Sequence, residues 1–146
     1  MDPILLFVYG SLQPGFEPFQ DFCQNLVIAM QPAWTRGELY LNPSGYPVLV
    51  PASTNSGRVI DGWVLSFGSD YSFATLDQWE LLDEITPNEG GYERTLIEVS
   101  IRGLDGSERS IDCHAYVGSR SGMVAGGARR QISGNWCPKL QCGNSN

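Results

Sequence analysis

The sequence predicts an α+β fold, a curled sheet or small β-barrel flanked by about two helices. Three observations carry this. Six short runs rich in β-branched and aromatic residues recur along the chain. Two segments between them have helix-type starts and stops. The 17 glycines and 9 prolines are spread between these elements as turn punctuation, with no single linker that would divide the chain of 146 residues into two domains.

The first strand, residues 4–9, follows from the apolar run Ile-Leu-Leu-Phe-Val. This run is too short for a secretory signal, and an acid and a proline precede it instead of a basic start, so it reads as a buried strand. A helix over 18–30 follows, with Pro18 suited to a first turn and Pro32 just past the end. Strands at 34–41, 48–50 and 59–67 come next. Gly62 lies inside the last of these and marks a bulge or a close backbone approach. The second helix spans 72–85, with Asp70 and Ser72 as possible N-caps, and Pro87 and Gly90-Gly91 close it. Strands at 92–101 and 110–117 are joined through Leu104-Asp105-Gly106, which has Asp-Gly hairpin chemistry. Residues 1–118 read as the domain. Residues 119–146, rich in Gly, Ser, Ala and Arg, read as an irregular tail packing on or trailing it.

Composition removes many chemistries. A net charge of −7 leaves no cationic surface for nucleic acid or an anionic membrane. Lys139 is the only lysine and His114 the only histidine, which argues against Schiff-base chemistry and multi-histidine zinc sites. Cys23, Cys113, Cys137 and Cys142 include no Cys-x-x-Cys pair and read as reduced thiols of a cytoplasmic protein. No stretch approaches the roughly 18 apolar residues of a spanning helix.

Two segments can carry chemistry. In Tyr9-Gly10-Ser11-Leu12 a strand ends in a turn of small residues, and backbone N–H groups leaving a ladder there can cradle a carboxylate or an oxyanion. An ordinary strand exit is the simpler reading of this segment alone. In the second helix Glu80 falls between Phe73 and Leu76, at spacings of i+7 and i+4, and is carried toward the core. Burial raises a carboxylate pKa toward the range of a general acid/base. The competing reading pairs Glu80 with an arginine such as Arg94. Asp77, Asp83 and Glu84 read as solvated or end-of-helix charges, His114 as a packed or hydrogen-bonded strand residue, and the tyrosines as ordinary sheet residues able to project a hydroxyl into a pocket.

Taken together, the chain resembles the γ-glutamyl cyclotransferase-like superfamily, including the avirulence-induced-gene-like proteins. The resemblance rests on Phe-Val-Tyr-Gly-Ser-Leu at 7–12, Gly37-Glu38-Leu39-Tyr40, Tyr46-Pro47 and Gly62. It continues through Leu76-Asp77-Gln78-Trp79-Glu80, Tyr92-Glu93-Arg94, Ala115-Tyr116-Val117 and the stretch from Ile132 to Trp136. Where the family often has a basic residue after the turn, this chain has Gln13-Pro14. The resemblance implies a small mixed β-barrel with flanking helices and a small-molecule γ-glutamyl substrate. Tyr9, Gly10, Ser11, Leu12, Tyr92 and Tyr116 would bind it, and Glu80 would be the catalytic acid/base. The implied reaction is cyclisation to 5-oxoproline with release of the amine, which needs no metal or cofactor because the substrate brings its own amine nucleophile. The alternatives are a noncatalytic small-molecule binding or regulatory domain of the same fold, and an interaction module working through the tail.

Overall fold

The computed structural model describes residues 2–10, 12–41, 47–52, 57–77 and 93–118, and the backbone of 129–131. The elements are β1 (Ile4–Val8), α1 (Glu17–Phe22), β2 (Val27–Leu41), β3 (Pro47–Pro51), β4 (Arg58–Phe67), α2 (Ala74–Asp77), β5 (Glu93–Arg102), β6 (Glu108–Val117) and β7 (Arg129–Gln131). Five strands close into a ring. β1 pairs antiparallel with β4, β4 with β2, β2 with β5, and β5 with β6. A parallel contact between β6 and β1, at Leu6 opposite His114, completes the circuit. β3 bridges one end of the ring, antiparallel to β2 and parallel to β6 at Leu49 opposite Val117. The backbone of β7, in the predicted tail, pairs with β2 over Leu39 to Leu41.

Period-two alternation sorts the side chains into two cores. Phe7, Tyr9, Leu39, Leu49, Ile60, Val64, Val99, Cys113 and Ala115 belong to one buried cluster. Leu6, Val8, Leu65, Phe67 and Tyr116 alternate with them and form a second cluster, with Phe19 of α1, Leu76 of α2, Leu12 and Cys23. The helices therefore cover the outer wall of the barrel. Cys23 and Cys113 are both buried, and burial pushes the Cys113 thiol up to about 12.

The first predicted helix needs correction. α1 ends at Phe22, the chain turns as the Leu26 and Val27 amides donate to the Cys23 carbonyl, and residues 27–30 are strand. β2 thus begins seven residues before its predicted start. Its ladder with β4 outweighs the local helix signal of this segment. Pro32 is a strand residue opposite Trp63 and not a helix stop. Among the described residues β5 meets β2 only at Ala33 and Trp34, so Pro32 sits where its missing N–H is tolerated.

Two glycine readings resolve. Gly106 has φ +84° in the turn between β5 and β6, where the Asp105 carboxylate accepts from the Ser107 amide and hydroxyl. Gly62 marks a close approach, not a bulge. The register runs through it unbroken, and a Cβ there would lie 2.2 Å from the Val8 carbonyl oxygen and 2.9 Å from the Phe7 ring. Gly62→Ala should destabilise the fold by about 1–3 kcal/mol or more, because the obstacle includes backbone. Gly106→Ala should cost about 1 kcal/mol, from conformation alone. Denaturant unfolding of the two variants measures the difference.

Candidate active site

The β1–β4 ladder ends at Val8 opposite Trp63, so the chain from Tyr9 onward leaves the sheet. The Tyr9 ring stays in the inner cluster, stacked on Phe7 with centroids 6.1 Å apart. Its hydroxyl donates to the Tyr116 carbonyl and accepts the Leu49 amide at 3.0 Å. One phenol therefore joins β1 to both β6 and β3. Beyond it the turn is compact. The Gln13 amide donates to the Gly10 carbonyl at 3.0 Å, and the Gln13 side chain donates to the Tyr9 carbonyl at 3.0 Å. Gly10 has no room for a side chain, since a Cβ would lie 2.8 Å from the Pro47 ring. Ser11, between these residues, lies outside the described residues.

A polar network stands on the outer wall of β5 and β6, against the first turn of α2. The register sets Arg94 opposite Tyr116 and Leu96 opposite His114, so these four residues share one face. Arg94 grips Asp77 with a fork. Its Nε donates to Oδ1 at 2.8 Å and its Nη2 to Oδ2 at 3.0 Å. The Tyr116 hydroxyl donates to the same Oδ1 at 2.7 Å. These donors hold the Asp77 carboxyl below its ordinary 3.8, the Arg94 hydrogen bonds being the largest cause. Arg94 is pushed upward in return by Asp77. Ser72 caps the start of α2 by accepting the Ala74 amide at 3.2 Å.

The guanidinium is held on its other sides too. Its carbon lies 4.2 Å from the Phe73 ring centroid. Nη1 lies 3.2 Å from His114 Nδ1. Arginine has no acceptor, so the histidine nitrogen must accept, which places the imidazole proton on Nε2. Burial first and the Arg94 charge second lower the His114 pKa from 6.5. The Phe73 ring also lies 4.8 Å from His114, and Tyr71 stacks on Phe67 and meets Phe73 edge to face. Burial, and then neighbouring Cys23, push the Tyr71 phenol up to about 12.

The family model for gamma-glutamyl cyclotransferase, AIG2-like proteins matches residues 6–138. The chain belongs to this family. No curated protein matches it by sequence. An AIG2-like protein from Mus musculus, solved by crystallography, is 19% identical with a TM-score of 0.58, over 80% of this chain and 78% of that one. YkqA from Bacillus subtilis is 22% identical with a TM-score of 0.59, over 92% of this chain and 39% of that longer one. A solution structure from Arabidopsis thaliana is 22% identical with a TM-score of 0.56, over 83% and 72%. At these identities the solved structures show a shared fold.

Within this cyclotransferase-like fold the structure brings together some of the sequence candidates and adds others. Tyr9, Gly10, Leu12 and Tyr116 are described, and Tyr116 joins the turn to α2 through its carbonyl and its hydroxyl. Glu80, Tyr92 and Ser11 lie outside the described residues, as do Asp83 and Glu84. Asp77 needs correction. It is no solvated charge but the carboxylate that Arg94 and Tyr116 hold, with a side chain 28% exposed. Arg94, weighed as a partner for Glu80, has its fork filled by Asp77. The reading of His114 as hydrogen-bonded stands, and its partner is this same arginine. The signal for the group was present in the alternation of Ile111 to Val117, which sets His114 and Tyr116 on one face. Arg94 could be added to it only once the β5–β6 register was known. No helix among the described residues is long and apolar enough to cross a membrane.

His114 and Asp77 make stability depend on acid in two steps. Both folded pKa values are depressed, so the folded state resists protonation at each. The His114 contribution is complete above 6.5 and is lost as pH falls through its lower folded value. The Asp77 contribution is complete above 3.8 and is lost only in stronger acid. Unfolding free energy measured against pH should show both declines, with the first absent in His114→Gln and the second in Asp77→Asn. Tyr9→Phe keeps the stacked ring but leaves the buried Leu49 amide unpaired, and should cost about 1–3 kcal/mol in the same unfolding experiment.

Proposed function

We propose that the protein is a γ-glutamyl cyclotransferase, converting a γ-glutamyl amide or amine to 5-oxoproline and the free amine. The observation that carries this reading is the family match over residues 6–138, which spans both the turn at Tyr9 and Glu80. The substrate's α-amine attacks its own side-chain carbonyl carbon, a C–N bond forms to close a five-membered ring, and the original amide C–N bond breaks. Because the step is intramolecular, holding the substrate folded removes much of the entropic barrier.

Glu80 takes a proton as the α-ammonium becomes a nucleophile, and returns a proton to the leaving amine. The electrostatics of the other candidate groups support this choice. Asp77 is held below the usual carboxylate range and is a poor base. His114 already offers Nδ1 to Arg94, so the only imidazole in the chain has no free lone pair. The amides of Gly10, Ser11 and Leu12 hold the anionic oxygens of the substrate and of the tetrahedral intermediate. Tyr92 and Tyr116 flank the glutamyl group, and Tyr9, buried in the inner cluster, acts through the turn it pins.

Glu80→Gln should lower 5-oxoproline release by about 10²–10⁴-fold, the usual scale of general acid–base catalysis, with ligand binding nearly intact. Release is followed chromatographically over a panel of γ-glutamyl amines and peptides. A wild-type protein that releases no 5-oxoproline from any of them overturns the enzyme reading and leaves the noncatalytic binding domain.

A further inference from the structure

Arg94 stands at the centre of three elements, and its surroundings leave its guanidinium little freedom. The fork to Asp77 fixes the guanidinium plane, Phe73 backs one face at 4.2 Å, and His114 Nδ1 takes a hydrogen from Nη1 at 3.2 Å. The group is rooted in β5, its histidine support in β6, and its carboxylate partner in α2. Asp77 and Phe73 are also joined by the hydrogen bond from the Asp77 amide to the Phe73 carbonyl, at 2.7 Å. A single side chain on the barrel therefore grips α2 at two points, by charge at Asp77 within it and over the Phe73 ring just before it. Tyr116 adds a third contact from β6, while its carbonyl holds Tyr9.

We propose that Arg94 is a positioning residue for the cyclisation, fixing α2 to the barrel wall at Asp77. This rests on the cyclotransferase reading above, because Glu80 follows Asp77 by three residues in sequence. Arg94 acts through Asp77 and contributes no proton. A lysine cannot replace it, since an ammonium offers neither a planar fork nor a flat face for Phe73. The single cation serves both contacts because the carboxylate lies in the guanidinium plane and the ring against its face.

The test uses the full chain with Arg94→Ala, Arg94→Lys and Asp77→Asn, assayed for 5-oxoproline release on a substrate the wild type accepts. Displacing a reacting group by about 1 Å can cost on the order of 10²-fold, so kcat should fall about 100-fold in Arg94→Ala with KM within about twofold. Added guanidinium should restore much of that loss in Arg94→Ala and none in Asp77→Asn. Arg94→Lys should lose nearly as much as alanine and serves in its place should alanine fail to fold. Unchanged kcat in a folded variant, or a raised KM with unchanged kcat, overturns the proposal. The second result would make Arg94 a substrate contact instead. A second measurement is independent of turnover. Hydrogen exchange at the Asp77 amide should quicken at least tenfold in Arg94→Ala or Arg94→Lys, and slow again in the alanine variant with guanidinium. Unchanged exchange overturns the anchoring even where wild type is active. A wild type inactive on every substrate sinks the reaction, and with it the catalytic role of Arg94, whatever the exchange shows.

Discussion

The parallel contact between β1 and β6 is the constraint from which the other features follow. The antiparallel pairings alone describe an open sheet running from β1 through β4, β2 and β5 to β6. Bringing Leu6 beside His114 closes that sheet, and the same closure carries the end of β1 to the end of β6. There the Tyr9 hydroxyl reaches the Tyr116 carbonyl and the Leu49 amide, so two strands adjacent through closure alone are tied to a third. Closure also removes two exposed sheet edges. A tight approach is required on the β4 side, where only glycine at 62 leaves space for the Val8 carbonyl and the Phe7 ring.

Closure divides the polar groups as well. β6 turns Cys113 and Ala115 inward and His114 and Tyr116 outward, and β5 sets Arg94 on the same outer face. Inside, a guanidinium or carboxylate would face only apolar neighbours, at a desolvation cost too large for a single ion pair to offset. Outside, with side chains 28% exposed, Arg94 and Asp77 remain partly hydrated and need only each other, Tyr116 and His114. The sole histidine is thereby committed to orienting an arginine. Its lowered pKa follows first from its partial burial and then from the permanent cation beside it.

Strands were the most legible part of the sequence, since alternation and β-branched composition are local signals. The 59–67 run became Arg58–Phe67 and the 110–117 run became Glu108–Val117. The error at 18–30 has a physical source. Apolar residues there satisfy helical spacing, and only the β4 partner, distant in sequence, reveals that Val27 to Met30 extend a strand. The site divides in the same way. The Tyr-Gly turn is written in adjacent residues, whereas the Asp77–Arg94 fork joins positions 17 apart and His114 lies 20 further on. An isolated aspartate on a helix carries no mark of its partner, so Asp77 read as a solvated or end-of-helix charge until the β5–β6 register placed Arg94 and Tyr116 around it.

The size of the barrel also decides where a substrate can go. Few strands make a narrow ring, and its interior is filled by side chains, as in small barrels generally. Phe7, Leu39, Leu49, Ile60, Val64 and Val99 occupy it, each at most 1% exposed. Among the described residues the lumen is packed core. The site proposed above accordingly lies at the rim or on the outer wall, where strands end and backbone amides become free to donate. β1 ends there at Val8, and the Tyr9 phenol links that end to Tyr116, whose own hydroxyl meets α2 at Asp77. The rigid core thus works as a scaffold, fixing the spacing between a turn with amide donors and a helix start bearing a carboxylate that is already paired. The cyclisation proposed above, whose nucleophile is built into the substrate, would ask little more of the scaffold than that spacing and one further carboxylate to move the proton.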